Sequence, residues 1–304
     1  MSLPDVLLQQ LANGLILGSF YALVALGYTM VYGIIKLLNF AHGDIYMVGA
    51  FVGFLVLSAV SSTLGDGWGG ILPSMILSMI AAGFLGMLIE RVAYRPLLHA
   101  PRLSILITAL AVSMVLENSA LSVTGGQYTA FNTGLGFDGV DIGSVHLTYT
   151  QIILVGASLI LMAIMHLFVS RTMYGKAMRA IAIDQDACLL MGIDVNKMIA
   201  LTFFIGSALA AAAGVMAGVY YGSIYYFMGF MIGLKAFTAA VIGGIGSIPG
   251  AMLGGLVLGL LEAFGTQVQA IGTEWKDVFV FAILILLLVF KPTGLLGRPE
   301  VERM

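Results

Sequence analysis

The sequence predicts an all-α polytopic integral membrane protein with about eight to ten transmembrane helices, organised as a single domain over residues 1–304. Two observations carry that prediction. The 304 residues are 60% hydrophobic and 9% charged, against roughly 25% charged for a soluble domain. The apolar residues also fall in successive runs of about the 20 residues that span a bilayer, the shorter ones suiting broken or protein-buried helices. The net charge of −2 offers no basic surface for nucleic acid. Cys188 is the single cysteine, so neither an intramolecular disulfide nor a cysteine metal site is available.

In chain order the expected spans are residues 7–35, 44–60, 71–92, 103–123, 150–169, 198–221, 230–248, 249–265 and 277–291. The first is long enough to be tilted or broken. The seventh and eighth are short and glycine-rich, so one of them could be re-entrant. The N-terminal MSLPDVLLQQ has no Lys or Arg before the apolar run and lacks the basic region of a cleaved signal peptide.

Orientation follows from Lys and Arg, which short loops keep on the cytoplasmic side. Lys36, Arg91, Arg95, Arg102, Arg171, Lys176, Arg179, Lys197, Lys291, Arg298 and Arg303 all fall on one side, eleven of the 13 basic residues. That side is expected to be the cytoplasm. It holds the C-terminus and a loop over residues 171–197. The segment 124–149 contains no Lys or Arg and falls outside, together with the loop around Asp66.

The cytoplasmic loop concentrates the chain's charge: Arg171, Lys176, Arg179 and Lys197 against Asp184, Asp186 and Asp194. A helix over residues 177–191 would put Ala180, Ile183, Ala187, Leu190 and Met191 on one face, away from Arg179, Asp184 and Asp186. Such a helix suits a groove on a soluble partner or the plane of the headgroups.

Glycine is abundant, with 39 residues, and many are four apart: Gly14/Gly18, Gly49/Gly53, Gly214/Gly218/Gly222, Gly229/Gly233 and Gly255/Gly259. Small residues at this spacing let helix backbones approach closely. The stretch AVIGGIGSIPG, with Gly244, Gly246 and Pro249, lacks the Lys-Ser/Thr pair of a phosphate-binding loop. It reads as a tight cytoplasmic hairpin with Pro249 opening the next helix. Asn39, His42 and Gly43 make a similar polar break between the first two spans, as turn or gate residues; His42 has no second ligand for a metal.

Ionisable groups inside spans are costly and point to function by default. Glu117 lies in the fourth span. Lys235 and Glu262 fall at similar depth on two antiparallel spans, so they are expected to pair, the alternative being separate reach to the interface. No zinc-protease, nucleophile-elbow or paired-carboxylate pattern occurs, so the chain reads as non-catalytic. What remains is a membrane subunit driven by a separate ATPase, or a self-contained channel or ion-coupled carrier.

Four blocks together resemble a known family: NGLILGSFYALVALGYTMVYGIIKLLNFAHGD (13–44), RAIAIDQDACLLMGIDVNKMIALTFFIGSALAAAAGVMAG (179–218), KAFTAAVIGGIGSIPGAMLGG (235–255) and KPTGLLGRPE (291–300). The chain is similar over nearly its whole length to LivH-type permeases of bacterial high-affinity branched-chain amino-acid ABC importers. The resemblance implies a type II-like ABC importer permease in the bacterial inner membrane. It implies a second homologous permease subunit, two ATP-binding subunits carrying ATP and Mg, and a periplasmic amino-acid-binding protein. It also implies that Arg179, Ala180, Asp184, Leu190, Met191, Gly192 and Ile193 carry the coupling contact to the ATP-binding subunits. Sibling permeases for urea, short amides or other amino acids share the architecture, and the sequence names no substrate contact.

Overall fold

The computed structural model describes residues 3–36, 38–65, 67–98, 100–142, 145–267 and 272–297. Asp66, Arg298 and Arg303, used above for orientation, lie outside them, as does the end of the 291–300 block. Long apolar runs become helices because a helix satisfies its own backbone polar groups within the segment. The order is α1 (Leu3–Ile35), α2 (His42–Leu64), α3 (Trp68–Ile89), α4 (Arg102–Thr124), α5 (Tyr149–Arg171), α6 (Met173–Ile181), α7 (Gln185–Leu190), α8 (Val195–Tyr221), α9 (Met228–Gly243), α10 (Ile248–Gly265) and α11 (Lys276–Phe290). A π-helical turn, Glu90–Tyr94, and a single tighter turn, Arg95–Leu97, extend α3. Among the described residues the nine expected spans correspond to the nine longest helices, of which seven are long and apolar enough to cross a membrane, whereas α9, at 16 residues, and α11, at 15, are shorter.

The centre is α1 and α8, wrapped by α2, α3, α9 and α10, and the glycine pairs explain how closely these pack. A Cβ on Gly259 would stand 2.2 Å from the Gly18 nitrogen, and one on Gly255 would stand 2.4 Å from the Ala22 Cα, so α1 and α10 touch backbone to backbone. Gly49 meets Ala211 and Gly214 meets Tyr46 in the same way, joining α2 to α8. Gly222 has another role: at φ 66° it ends α8 in a left-handed turn.

The outer segment is not wholly irregular. β1 (Thr129–Ala130) pairs antiparallel with β4 (Ser223–Ile224), and β2 (Gly139–Ile142) forms a hairpin with β3 (Val145–Thr148). These short strands modify the all-α expectation. The β1–β4 pair ties the loop after α4 to the turn after α8.

The 177–191 helix is the larger correction. The chain forms two short helices there, because Asp184 takes an extended backbone and its carboxylate accepts the Ala187 N–H at 2.9 Å, capping α7. An aspartate offered a local cap ends the preceding helix instead of continuing it. The expected apolar face changes accordingly. Ile183, Leu190 and Met191 are 79%, 90% and 82% exposed, while Met178, Ile181 and Cys188 are buried.

Candidate functional site

The break between α1 and α2 folds into the bundle instead of turning at its surface. Asn39, Ala41, His42 and Asp44 are all buried. The His42 ring packs on Gly27 and Gly206 and meets Tyr28 edge-on, with centroids 4.8 Å apart. Gly206 lies eleven residues into α8, about 16 Å along a helix about 40 Å long. Asp44, in the first turn of α2, accepts the Ser113 hydroxyl at 2.5 Å, and Ser113 lies about 16 Å along α4. Two independent rulers therefore place the start of α2 near half depth.

The start of α9 meets it there. A Cβ on Gly43 would stand 2.4 Å from the Gly229 carbonyl oxygen and 2.7 Å from the Gly233 Cα. Two helix N-termini thus converge on Asp44, whose Oδ1 stays buried without a hydrogen-bond partner. Converging N-termini favour a negative group, and interrupted helices of this kind are how membrane bundles build polar centres. Nearby, Tyr94 donates to Asn39 Oδ1 at 2.6 Å, tying the end of α3 to the break.

Lys235 on α9 and Glu262 on α10 form a buried ion pair, Nζ to Oε1, at 2.8 Å. Tyr21 on α1 donates to Glu262 Oε2 at 2.7 Å, and Asp277 Oδ1 on α11 lies 2.7 Å from the Lys235 ammonium. Lys276 Nζ sits 3.7 Å from Glu262 Oε1. The cluster binds four helices with every member matched by opposite charge or a donor, as a low-dielectric setting demands.

At the basic end, Gly244 and Gly246 take φ 103° and 90°, which only glycine adopts without strain. Pro249 is the second residue of α10, not the first, and Ser247 Oγ caps that helix by accepting the Gly250 N–H at 3.2 Å. The C-terminal strap closes the hairpin: Leu295 and Leu296 N–H groups donate to the Ile242 and Gly243 carbonyls at 2.8 and 2.9 Å.

Beside it stands the α6–α7 arm. The Arg179 guanidinium donates to the Val169 carbonyl at the end of α5, and Gln185 donates to the Ile34 carbonyl at the end of α1, at 3.0 Å. Gly192 at φ 79° turns the chain after α7, and the Ile193 N–H returns to the Cys188 carbonyl at 3.0 Å. Leu190 and Met191 project outward. Among the described residues no group of three or more His, Cys, Asp or Glu side chains comes together to hold a metal ion.

Comparison with known proteins decides what this architecture belongs to. Residues 10–288 match the family described as the branched-chain amino acid transport system permease component. The chain belongs to that family. The high-affinity branched-chain amino acid transport system permease protein BraD of Pseudomonas aeruginosa is 48% identical, with 98% of each chain covered. LivH of Escherichia coli K12, of the same description, is 45% identical over 98% of this chain and 97% of its own. A probable LivH from Methanocaldococcus jannaschii is 26% identical over 94% of this chain and 91% of its own.

The permease is a multi-pass membrane protein, and three of its features escaped the sequence reading. Asp44 belongs to a motif read as a turn, and only the inward fold of residues 38–41 turns it into a buried group. Asp277 was read as the edge of the last span, yet it is the second carboxylate on Lys235. Glu90, buried at the start of the π-helical turn that extends α3, accepts two hydrogen bonds from Arg95 at 3.0 and 2.9 Å; their five-residue spacing matches that turn and departs from ordinary helix spacing.

Proposed function

We propose that the chain is the transmembrane permease subunit of an ATP-driven importer that moves leucine, isoleucine and valine by alternating access. The observation that carries this reading is the 48% identity, across 98% of both chains, to a permease of high-affinity branched-chain amino acid transport. The chain itself is non-catalytic in this account. Two ATP-binding subunits hold ATP and Mg²⁺, a second homologous permease subunit completes the path, and a periplasmic amino-acid-binding protein delivers the substrate. The C-terminus and the α6–α7 arm then face the cytoplasm of a bacterial inner membrane.

Coupling is assigned to Arg179, Ala180, Asp184, Leu190, Met191, Gly192 and Ile193. What supports this is an arm whose large apolar side chains stand in the open while its other face is anchored to α1 and α5, as expected of a helix that enters a partner's groove. A push on that arm reaches α1 and α5 directly. Asn39, His42 and Gly43 within the bundle, and Gly244, Gly246 and Pro249 at its basic end, are the places where helices could hinge.

Affinity purification of the chain from its host in mild detergent tests the partner set. The account expects a second permease and two ATP-binding subunits to come with it, with ATP hydrolysis stimulated by a leucine-loaded binding protein. In that complex Arg179→Glu should reduce stimulated hydrolysis and transport about tenfold or more, since it reverses a charge-assisted anchor. Full stimulation and transport in an intact Arg179→Glu complex would remove the coupling assignment. A self-contained ion-coupled carrier is the second reading, favoured by the buried Asp44. Recovery of the chain alone, moving solute without ATP, would establish it instead.

A further inference from the structure

At the basic end of the bundle lies a cavity of about 570 Å³, within the size range of small-ligand sites. Lys36, His166, Ser170, Arg179, Ser247 and Pro249 line it. They come from four places: the end of α1, the last turns of α5, the arm helix α6 and the start of α10. Among the described residues the lining holds two permanent positive charges, an imidazole and two hydroxyls, and no carboxylate. The N-terminus of α10 adds its partial positive charge. Such a lining favours an anion with several acceptor oxygens. Lys36 takes φ 53°, a left-handed backbone that glycine or asparagine adopts with less strain, and it is the one non-glycine residue to do so among those described. Its ammonium is held 5.9 Å from the Tyr32 ring centroid. Arg179 spends part of its guanidinium on the Val169 carbonyl and has further N–H donors for the cavity.

Lys36, His166 and Arg179 are exposed, so the cavity opens outward. Two of the helices that frame it, α5 and α10, are long and apolar enough to cross a membrane, and they meet. On α5, Leu159, Ala163, His166 and Ser170 follow one another at helical spacing on one face, with Leu159 and Ala163 exposed. On α10, Leu253 stands one turn after Pro249 and is also exposed. An apolar track therefore leads from the cavity along both helices into the depth of the bilayer. A basic cavity at the ends of spanning helices, with an apolar track beneath it, matches an anionic phospholipid, whose phosphate and acyl chain are joined in the same order.

We propose that this cavity binds the phosphate of an anionic phospholipid, with one acyl chain lying along Leu159, Ala163 and Leu253. Lys36 and Arg179 contact the phosphate oxygens, and His166 and the two serines hydrogen-bond the headgroup. The bound lipid ties Arg179 on the arm to Lys36 at the end of α1, bracing the arm against the bundle. Free phosphate shares the headgroup's chemistry but leaves the apolar track unused. The site does not depend on which amino acid the permease carries.

The test uses the intact transport complex in phosphatidylcholine nanodiscs that contain a phosphatidylglycerol analogue with a diazirine in one acyl chain. Crosslinks are expected on α5 and α10 around Leu159, Ala163 and Leu253. The same photoreactive chain on phosphatidylcholine should label these residues several-fold less, a comparison that needs no variant. Lys36→Asn removes the charge yet suits the left-handed backbone, so it should assemble at least as well as the wild type while labelling falls about fivefold. Lys36→Arg should keep the label. Equal labelling by the two headgroups, unchanged labelling in assembled Lys36→Asn, or crosslinks confined to other helices would overturn the site. Full displacement of the label by inorganic phosphate, where chloride at equal ionic strength leaves it, would assign the cavity to a free anion and overturn the lipid. No label from the intact complex would mean that a protein partner fills the cavity, with the same consequence. Leucine uptake by the complex in liposomes is measured alongside; its failure with labelling intact removes the branched-chain reading and keeps the site.

Discussion

Lys235 stands between two carboxylates, with Glu262 2.8 Å away on one side and Asp277 2.7 Å away on the other. Its removal strands negative charge in the bundle. Lys235→Met should destabilise the folded permease by about 3 kcal/mol, and adding Glu262→Leu should recover part of that, because breaking a buried pair costs more than replacing both members. Thermal unfolding followed by size-exclusion recovery in detergent reads this directly. Equal stability of Lys235→Met and wild type would show that the pair is not structural. His146 makes the opposite kind of contact, open to water. Its ring lies 2.6 Å from the Asp141 carboxylate across the β2–β3 hairpin. That hydrogen bond, with a further one to the Phe137 carbonyl, raises its pKa above the ordinary value. A raised histidine contributes most below its unfolded pKa of about 6.5, and the contribution is lost as pH rises through the folded value. An NMR titration of the imidazole should show the raised value in the wild type and its fall in Asp141→Asn.

At the scale of elements, the α1–α10 seam shows what the glycine spacing does. Gly259→Val would drive a side chain into the Gly18 backbone and the Gly14 carbonyl, so folded yield should collapse. Gly156→Ala on α5 meets nothing within 4 Å and should be neutral or slightly stabilising. Comparable yields for the two variants in a fluorescence-detected chromatography screen would contradict the seam. Seven of the long helices could be read in the sequence because each apolar run is long enough to cross a bilayer and only a helix satisfies its backbone there. The Gly14/Gly18 and Gly255/Gly259 pairs could be read for the same reason, since close backbone approach leaves a spacing behind. The break at Asp184 could not be read from apolar periodicity: the 177–191 pattern fits one helix, and the cap that divides it is a local hydrogen bond. Nor could the inward climb before His42, because Asn39, His42 and Asp44 look like a surface turn until α9, α4 and α3 are packed around them. Asp277 was hidden similarly, its partner arriving from α9 far away in the chain.

For the whole molecule, function would follow from the arrangement of three parts: an exposed arm anchored to α1 and α5, a tight glycine-seamed bundle, and a polar junction near half depth where two helices begin. Motion imposed on the arm would be transmitted by rigid helices to the junction, since a close-packed bundle shifts as elements and not as a fluid. Under the proposed function that motion would move branched-chain amino acids, the cargo named for the near-full-length relatives. The decisive measurement is uptake of radiolabelled leucine into proteoliposomes holding the purified complex. The account predicts accumulation that needs ATP on the cytoplasmic side and a binding protein on the other, competes with isoleucine and valine, and stops when ATP is replaced by a non-hydrolysable analogue. Accumulation by this chain alone without ATP, or an ATP-driven complex that ignores all three branched-chain amino acids, would contradict it.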